Sequence, residues 1–519
     1  MTLDTVVVGA GYAGLTAAAY LAREGHRVTV LEQLPTPGGR NQRFVLDGFT
    51  FERGPSWLWM LDVHSSFYSD LGRKMSDYVQ ISRLDPAYRV FFPKDSTNTQ
   101  SGICDVPNGV QEFAALLEKI EPGSSANFLK QMELDEFRYN QALETFIELP
   151  SVHIGEYVRP SFLKHLGKMG LFSNQRDSIA KVVLTPEARR LLEWPTIFVG
   201  HSPASVPSLY SLLNWAAIDG GTWFPTNGMY DTILGMERVC RELGVTFLYD
   251  HRVTGLKHER GAIKEVVCSS EEHGIRRFAA EKFLVTCDMA FFERSIVPKS
   301  LRMYSPDYWD SREVSPSCLL FYLGVDCRVQ GLEHHNLFFD QSMYDHMDDI
   351  YGSTPQIPPN PLFYVSVISH SNRTLAPEGC DSIFLLVPMP SIPVKKVDKA
   401  RILDNVLGRM EDRIDMSLRD HIVVQDSFDY SDFCKTYHSL GGNGFGLSNT
   451  LFQSAFLKPS MRSTTLSNLF YAGQTTAPGG GIPTSMLSGK IAARLAMGDA
   501  PTPSERALTW ATQWMRSKL

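Results

Sequence analysis

The 519-residue sequence predicts a mixed α/β (α+β) protein in which one domain is assembled from separated stretches of chain. Three observations predict it. The β-branched run Asp4–Val8 leads directly into Gly9-Ala-Gly11-Tyr-Ala-Gly14 and then into apolar residues at helical spacing, the pattern of a strand, a tight turn and a helix. Strand-like runs return much later, at 245–249, 262–267, 283–286 and 469–472, as if completing the first sheet. Between the two sets, residues 76–219 are rich in helix formers and alternating charge, and read as a separate, mostly helical insertion.

The elements follow in order. His26–Glu32 is the second strand and ends in an acid eighteen positions after Gly14, so one βαβ unit fills the first thirty-odd residues. After the insertion, Leu319–Val325, Phe363–Ile368 and Ile383–Val387 suggest a second sheet, with the Pro-rich loop Pro355–Pro361 between its strands. Leu469–Ala472 is a short strand that runs into Pro478-Gly-Gly-Gly-Ile-Pro483 and a helix through Met497. The division expected is therefore 1–75, 220–300 and 460–500 as one discontinuous domain, 76–219 as the helical region, 301–459 as a second sheet domain and 501–519 as a C-terminal amphipathic helix.

At ~150 residues per domain the length gives two to four domain equivalents, each able to bury a core. Hydrophobic residues at 43% and charged residues at 21% mark a globular chain rather than a disordered or fibrous one. The formal net charge is -7 and no dense Lys/Arg run occurs, so duplex nucleic acid is not an expected partner. The eight cysteines are scattered, never in a C-x-x-C pair, and read as reduced core thiols in a cytosolic protein. No secretory leader is visible before Leu3, and the longest apolar runs fall short of the ~18–20 residues of a spanning helix.

Gly9, Gly11 and Gly14 carry the first chemistry. The first permits the turn, the second lets main chain approach a pyrophosphate, and the third allows strand and helix to pack closely, while the helix N-terminus, with Tyr12 and Ala13, supplies partial positive charge. Glu32 stands where a ribose hydroxyl would need an acceptor. A structural glycine turn without ligand is the rival reading, and the strand, helix and acid in register weigh against it. This unit does not separate NAD from FAD. Gly38-Gly39-Arg40 adds a second glycine turn with a cation, suited to another pyrophosphate approach. Gly479-Gly480-Gly481 is expected to let main chain press against a flavin ring, so that Gly480→Val would intrude on it, and the helix from about Thr484 would direct its positive end at the ring edge that gathers charge on reduction. His334-His335 are expected to point apart on a strand, and no metal site is expected.

With these residues in place, the sequence resembles the bacterial-type phytoene desaturases, carotenoid desaturases of the FAD-dependent amine-oxidase-like flavoproteins. The resemblance spans nearly the whole chain. It rests on the blocks above and on Phe51-Glu-Arg-Gly-Pro-Ser-Trp57, Gly221-Thr-Trp-Phe-Pro225 with Gly228-Met229, Leu375-Ala-Pro-Glu-Gly379 and Tyr471-Ala-Gly-Gln-Thr-Thr-Ala-Pro-Gly-Gly-Gly-Ile-Pro483. It implies a Rossmann-like, discontinuous FAD-binding domain, a substrate domain of mixed sheet and a helical membrane-facing insertion. It also implies FAD contacts from Gly54, Pro55, Ser56, Gly473, Gln474, Ile482 and Pro483, and from the Val253 backbone, although by sequence alone Val253 is as readily core. Gln474 stands where many members carry an acid that bonds the ribityl chain.

The activity implied is hydride transfer from a carotenoid precursor, phytoene first, to flavin, giving conjugated double bonds on the way to lycopene. Rivals are a later-step carotenoid desaturase or isomerase, and a flavin-free isoprenoid-binding escort protein. Asp135 and Arg138, at i and i+3, resemble a carboxylate-arginine pair implicated in catalysis; the bland alternative is an exposed helix ion pair contributing ~0.2–0.5 kcal/mol. A lipid-resident substrate implies a cytoplasmic enzyme peripherally attached to a membrane surface. Val158–Phe172, with Phe162, Leu163 and Lys164, and Ala507–Met515, with Leu508, Trp510 and Trp514, are the candidate contacts.

Overall fold

A computed structural model describes residues 3–96, 99–157, 164–393, 397–498 and 515–516. The organising element is a five-stranded sheet in the order Leu469–Tyr471, Lys282–Val285, Asp4–Val8, Arg27–Leu31, Thr246–Leu248, every pairing parallel. Asp4–Val8 sits at its centre, buried on both faces as its unbroken β-branched run requires. The helices Tyr12–Arg23 and Ile482–Met497, from opposite ends of the chain, pack together beside this sheet. Small side chains make that possible: Ala17, Ala18 and Ala19 are fully buried, and a Cβ on Gly489 would fall 2.3 Å from the Ala13 carbonyl oxygen.

The strand expected at 262–267 forms, but elsewhere. Ala262–Ser270 is the middle strand of a separate antiparallel sheet with Arg252–Glu259 and Gly274–Ala279. Arg260 and Gly261 both have positive φ, the backbone of a tight hairpin turn, so the chain reverses locally instead of crossing back to the parallel sheet.

The second large sheet has seven strands in the order Ile422–Phe428, Ser317–Val325, Asp381–Met389, Phe363–Val367, His335–Phe338, Tyr88–Phe91, Ile103–Val106. Its last two strands correct the division at residue 76: they lie inside the stretch expected to be helical and belong to this sheet through the parallel pairing of Asn336–Phe338 with Arg89–Phe91. Charge and helix formers further along the insertion dominate its composition and mask two short hairpin strands. The helices begin after them, with Val110–Ile120, Ser125–Gln141, Pro186–Glu193 and Leu212–Ile218 the longer ones. One face of the seven-stranded sheet packs on the helix Lys399–Ile414, and the other meets an aromatic interior around Trp59, Trp194 and Tyr322.

Two segments expected to meet a membrane are described only in part. Within Val158–Phe172, residues 158–163 lie outside the described residues; the rest forms one short 3-10 turn at Leu166–Lys168, with Met169 buried and Phe172 82% exposed, so its described part is not a continuous amphipathic helix. The C-terminal helix at 501–519 lies outside the described residues except Met515 and Arg516; Arg516 is buried and donates to the carbonyls of Phe456 and Ser151, each at 2.8 Å.

Candidate functional site

One continuous cavity of about 840 Å³ runs from the edge of the parallel sheet to the aromatic interior of the second sheet. Its polar end is built by the strand ends and turns that the βαβ reading singled out. Gly9, Gly11, Tyr12 and Ala13 line it at the N-terminus of the first helix. Gly14 does not; a Cβ there would fall 2.0 Å from the Gly9 carbonyl oxygen, so this glycine lets the helix close onto the strand. Glu32 lies at the strand end with its carboxylate accepting the amides of Ala10 at 2.7 Å and Leu34 at 2.9 Å, and burial outweighs those bonds to raise its pKa. Val253 lines the same end and is buried, so adenine contact and core are compatible there.

Gly38, Gly39 and Arg40 face this turn across the cavity, and Gly11 meets Gly39 main chain to main chain with no side chain between: a Cβ on Gly11 would lie 3.9 Å from Gly39 Cα. The Arg40 guanidinium stacks 5.4 Å from the Tyr437 ring centre and donates to Ser439 Oγ, while its Nε is buried without a partner. Gly54, Pro55 and Ser56 continue the wall. Gly473, Gln474, Gly480, Gly481, Ile482 and Pro483 close it from the other side. Ile482 and Pro483 are already the first turn of the helix, which starts two residues before the position expected.

The glycine block departs from expectation in one respect. A Cβ on Gly480 would lie 1.6 Å from the Phe445 carbonyl oxygen, so this glycine lets the 443–446 loop pack against the turn and its missing side chain is not what makes room for a ring. Gln474, in place of the acid, donates to Asn443 Oδ1 at 3.3 Å.

Beyond the turn the cavity becomes apolar. Trp57, Trp59, Trp194 and Phe198 form an aromatic cluster of tilted and edge-on rings, with Trp57 and Trp194 ring centres 5.1 Å apart. His64 lines this part, and burial lowers its pKa to about 4, leaving a neutral imidazole. The cavity then reaches Phe172, Leu451 and Phe452, which are 82%, 37% and 61% exposed and make an apolar rim. Sequence reading missed most of this wall, including Phe198, Phe445 and Asn449; an apolar residue in a loop carries no spacing signal, and only the fold turns these toward one space.

Asp135 and Arg138 are not among the cavity's lining residues. Nor are they an exposed pair: Asp135 is 0% and Arg138 4% exposed, with Arg138 Nη1 3.5 Å from Asp135 Oδ1. Arg138 donates to the carbonyls of Lys168 and Ser208, each at 3.0 Å, and to Ser211 Oγ at 2.8 Å, pinning the segments that carry the lining residues Met169, Leu171, Leu209 and Leu212. Burial raises the Asp135 pKa to about 6, against the lowering effects of the Ser211 hydroxyl and Arg138. The pair thus positions the wall from behind. His334 and His335 also differ from expectation, since their rings touch at 4.3 Å; His335 stacks on Trp57 and bonds Tyr364 Oη at 2.6 Å. Among the described residues, one donor group, Asp326, Cys327 and His421, has its ligand atoms within 4.8 Å of one another, far along the seven-stranded sheet, where His421 Nδ1 lies 2.8 Å from Asp326 Oδ1.

Residues 12–303 match the flavin containing amine oxidoreductase family. The chain belongs to that family. The flavoprotein is 32% identical over 505 residues to the carotenoid 3,4-desaturase of Haloarcula japonica, covering 96% of this chain and 98% of that one. It is 30% identical over 512 residues to the zeta-carotene-forming phytoene desaturase of Myxococcus xanthus, covering 98% and 94%. Among solved structures, an oxidoreductase from Methanosarcina mazei aligns with TM-score 0.60 at 16% identity over 94% of this chain and 99% of that one, and putrescine oxidase with TM-score 0.60 at 14% over 96% and 98%. The flavoprotein is an FAD-dependent oxidoreductase, and the flavin-free escort reading falls away.

The residues present fit FAD. Side-chain-free main chain at Gly11 and Gly39 offers a dinucleotide cradle, and two residues that line the cavity carry orphan polar atoms, Arg40 at Nε and Asn449 at Oδ1. Bound there, FAD supplies a hydride acceptor. The Gly9–Gly14 turn and Glu32 would hold the dinucleotide, and the helix Ile482–Met497 would direct its N-terminus at the turn beside it.

Proposed function

We propose that the flavoprotein desaturates a carotenoid precursor, with phytoene as the first substrate to test. The observation that carries this reading is the single cavity, polar at the dinucleotide turn and apolar for the rest of its course to an exposed apolar rim. A long hydrocarbon matches that course, and carbon next to the polar end would give up its hydride while a neighbouring carbon loses a proton. No titratable group on the apolar wall is needed to bind such a substrate; the neutral His64 keeps the wall uncharged. A later desaturation step is the second reading, favoured by the likeness to the Haloarcula japonica 3,4-desaturase.

Phe172, Leu451 and Phe452 at the rim support a peripheral membrane enzyme that draws its substrate directly from lipid. No helix of the described residues is long and apolar enough to cross a membrane. The test is anaerobic: FAD-loaded protein is mixed with phytoene in liposomes while flavin bleaching and visible polyene bands are followed. Bleaching with new bands is expected. FAD binding without bleaching would remove phytoene and put later carotenoids first.

A further inference from the structure

Among the described residues, the Lys458 ammonium is buried with nothing to pair with. Lys458 is 1% exposed, and its Nζ has no hydrogen-bond partner among the described residues. Asn449 Oδ1 is buried and unpartnered as well, although Asn449 Nδ2 donates to the Val199 carbonyl at 3.1 Å. Both converge on Gly479. A Cβ at that residue would lie 2.9 Å from Asn449 Oδ1 and 3.5 Å from Lys458 Cε. Gly479 and Lys458 are not themselves among the cavity's lining residues; they stand behind Gly480 and Gly481, which line it and open the helix Ile482–Met497, while Asn449 reaches the cavity surface.

An ammonium with no counter-charge is among the costliest groups to leave in a protein interior. Burial pushes Lys458 down to about 7, and no carboxylate offsets that. Methionine or leucine would fill the same space without this penalty, so a lysine here makes physical sense where a partner arrives from outside the chain. The helix N-terminus at the same turn points to the same kind of partner, one that carries or gains negative charge.

We propose that Lys458, with Asn449 beside it, is the counter-cation of the flavin ring, offsetting the negative charge that a transferred hydride brings. This rests on the ring lying against the Gly479–Pro483 turn. Lys458 exchanges no atoms in the step. The substrate C–H electron pair moves with its hydrogen to FAD, the neighbouring carbon loses a proton to water, and a C=C bond forms between them; the added negative charge favours the protonated form of Lys458, which balances it. Lys458 is thus a positioning and electrostatic residue for reduction, distinct from the groups that hold the dinucleotide.

The test compares wild type, Lys458→Met and Lys458→Arg by thermal unfolding without FAD and by the two-electron potential of bound FAD. Lys458→Met should raise the melting temperature of the FAD-free protein, because it removes an unpaired buried charge. The same variant should bind reduced FAD about tenfold more weakly relative to oxidised FAD, a shift of ~30 mV to more negative potential. Lys458→Arg should restore the potential. An unchanged potential in Lys458→Met with FAD bound would overturn the proposal, as would a fall in the FAD-free melting temperature that marks a structural lysine held by buried water. Wild type that takes up no FAD would instead overturn the flavin reading itself.

Discussion

The Glu52 carboxylate accepts the main-chain amides of Met229 and Tyr230, each at 2.8 Å, and so closes the N-terminus of the helix Tyr230–Glu242 from 177 residues away. This explains why Phe51–Trp57 and Gly228-Met229 both stand out in the sequence: they are two halves of one junction. Gly228 belongs to it, since a Cβ there would lie 2.5 Å from Glu52 Oε1. Glu52→Ala leaves two buried amides unanswered and should cost about 2–4 kcal/mol in urea unfolding. Glu52→Gln, which keeps one acceptor oxygen, should recover part of that loss.

Gly14→Ala sets a methyl against the Gly9 carbonyl and should force the first helix off the strand. A loss of about 1–3 kcal/mol, with FAD uptake weakened more than tenfold, is expected from unfolding and flavin titration. Gly480→Ala should also destabilise, through the 443–446 loop; a Gly480→Ala protein of wild-type stability would contradict the packing described.

Asp135 gives a pH signature. Its folded-state pKa of about 6 lies above the ordinary aspartate value, so the folded protein holds this proton more tightly than the unfolded chain. The stability it contributes is complete below about pH 4 and is lost as pH rises through 6, about 2–3 kcal/mol in all. Asp135→Asn should not show that loss. The difference in unfolding free energy between variant and wild type, measured at pH 4 and pH 7.5, should therefore grow in the variant's favour at the higher pH.

Asp381 behaves in the opposite sense. Although burial raises its pKa, the bonds from His370, the Val329 amide and Ser369 outweigh this and hold it well below the usual aspartate range. Its stabilisation is present above about pH 4 and fades as pH falls below that value. Asp381→Asn should be destabilised at neutral pH, with the gap to wild type closing on acidification.

Phe172→Asp with Phe452→Asp replaces the exposed rim with charge. Sedimentation with liposomes should fall several-fold while FAD affinity stays at the wild-type value. Equal sedimentation of the two proteins would place the membrane contact elsewhere.

The dinucleotide half of this protein was legible because its chemistry depends on local order. Gly9, Gly11, Gly14 and Glu32 must follow one strand at fixed spacing, and a single chain segment contains them all. The late strand Leu469–Tyr471 and its glycine turn were equally readable, since a short apolar run before Gly473 has few other uses. The helix start at Ile482 was misplaced by two residues because proline is at home in a first helical turn and punctuates loops equally well.

What the sequence by itself determined is the parallel sheet, its glycine turns and the flavin they imply. Only the tertiary structure decided where Asp135 and Arg138 lie, since i, i+3 spacing is the same on a solvated face and a buried one. It alone set the role of Gly480, which answers to a carbonyl thirty-five residues earlier in the chain, and gathered Asn449, Lys458 and Gly479 around one orphan charge. Such relations depend on distances between segments that covalent order leaves free, and packing against the two sheets is what fixes them.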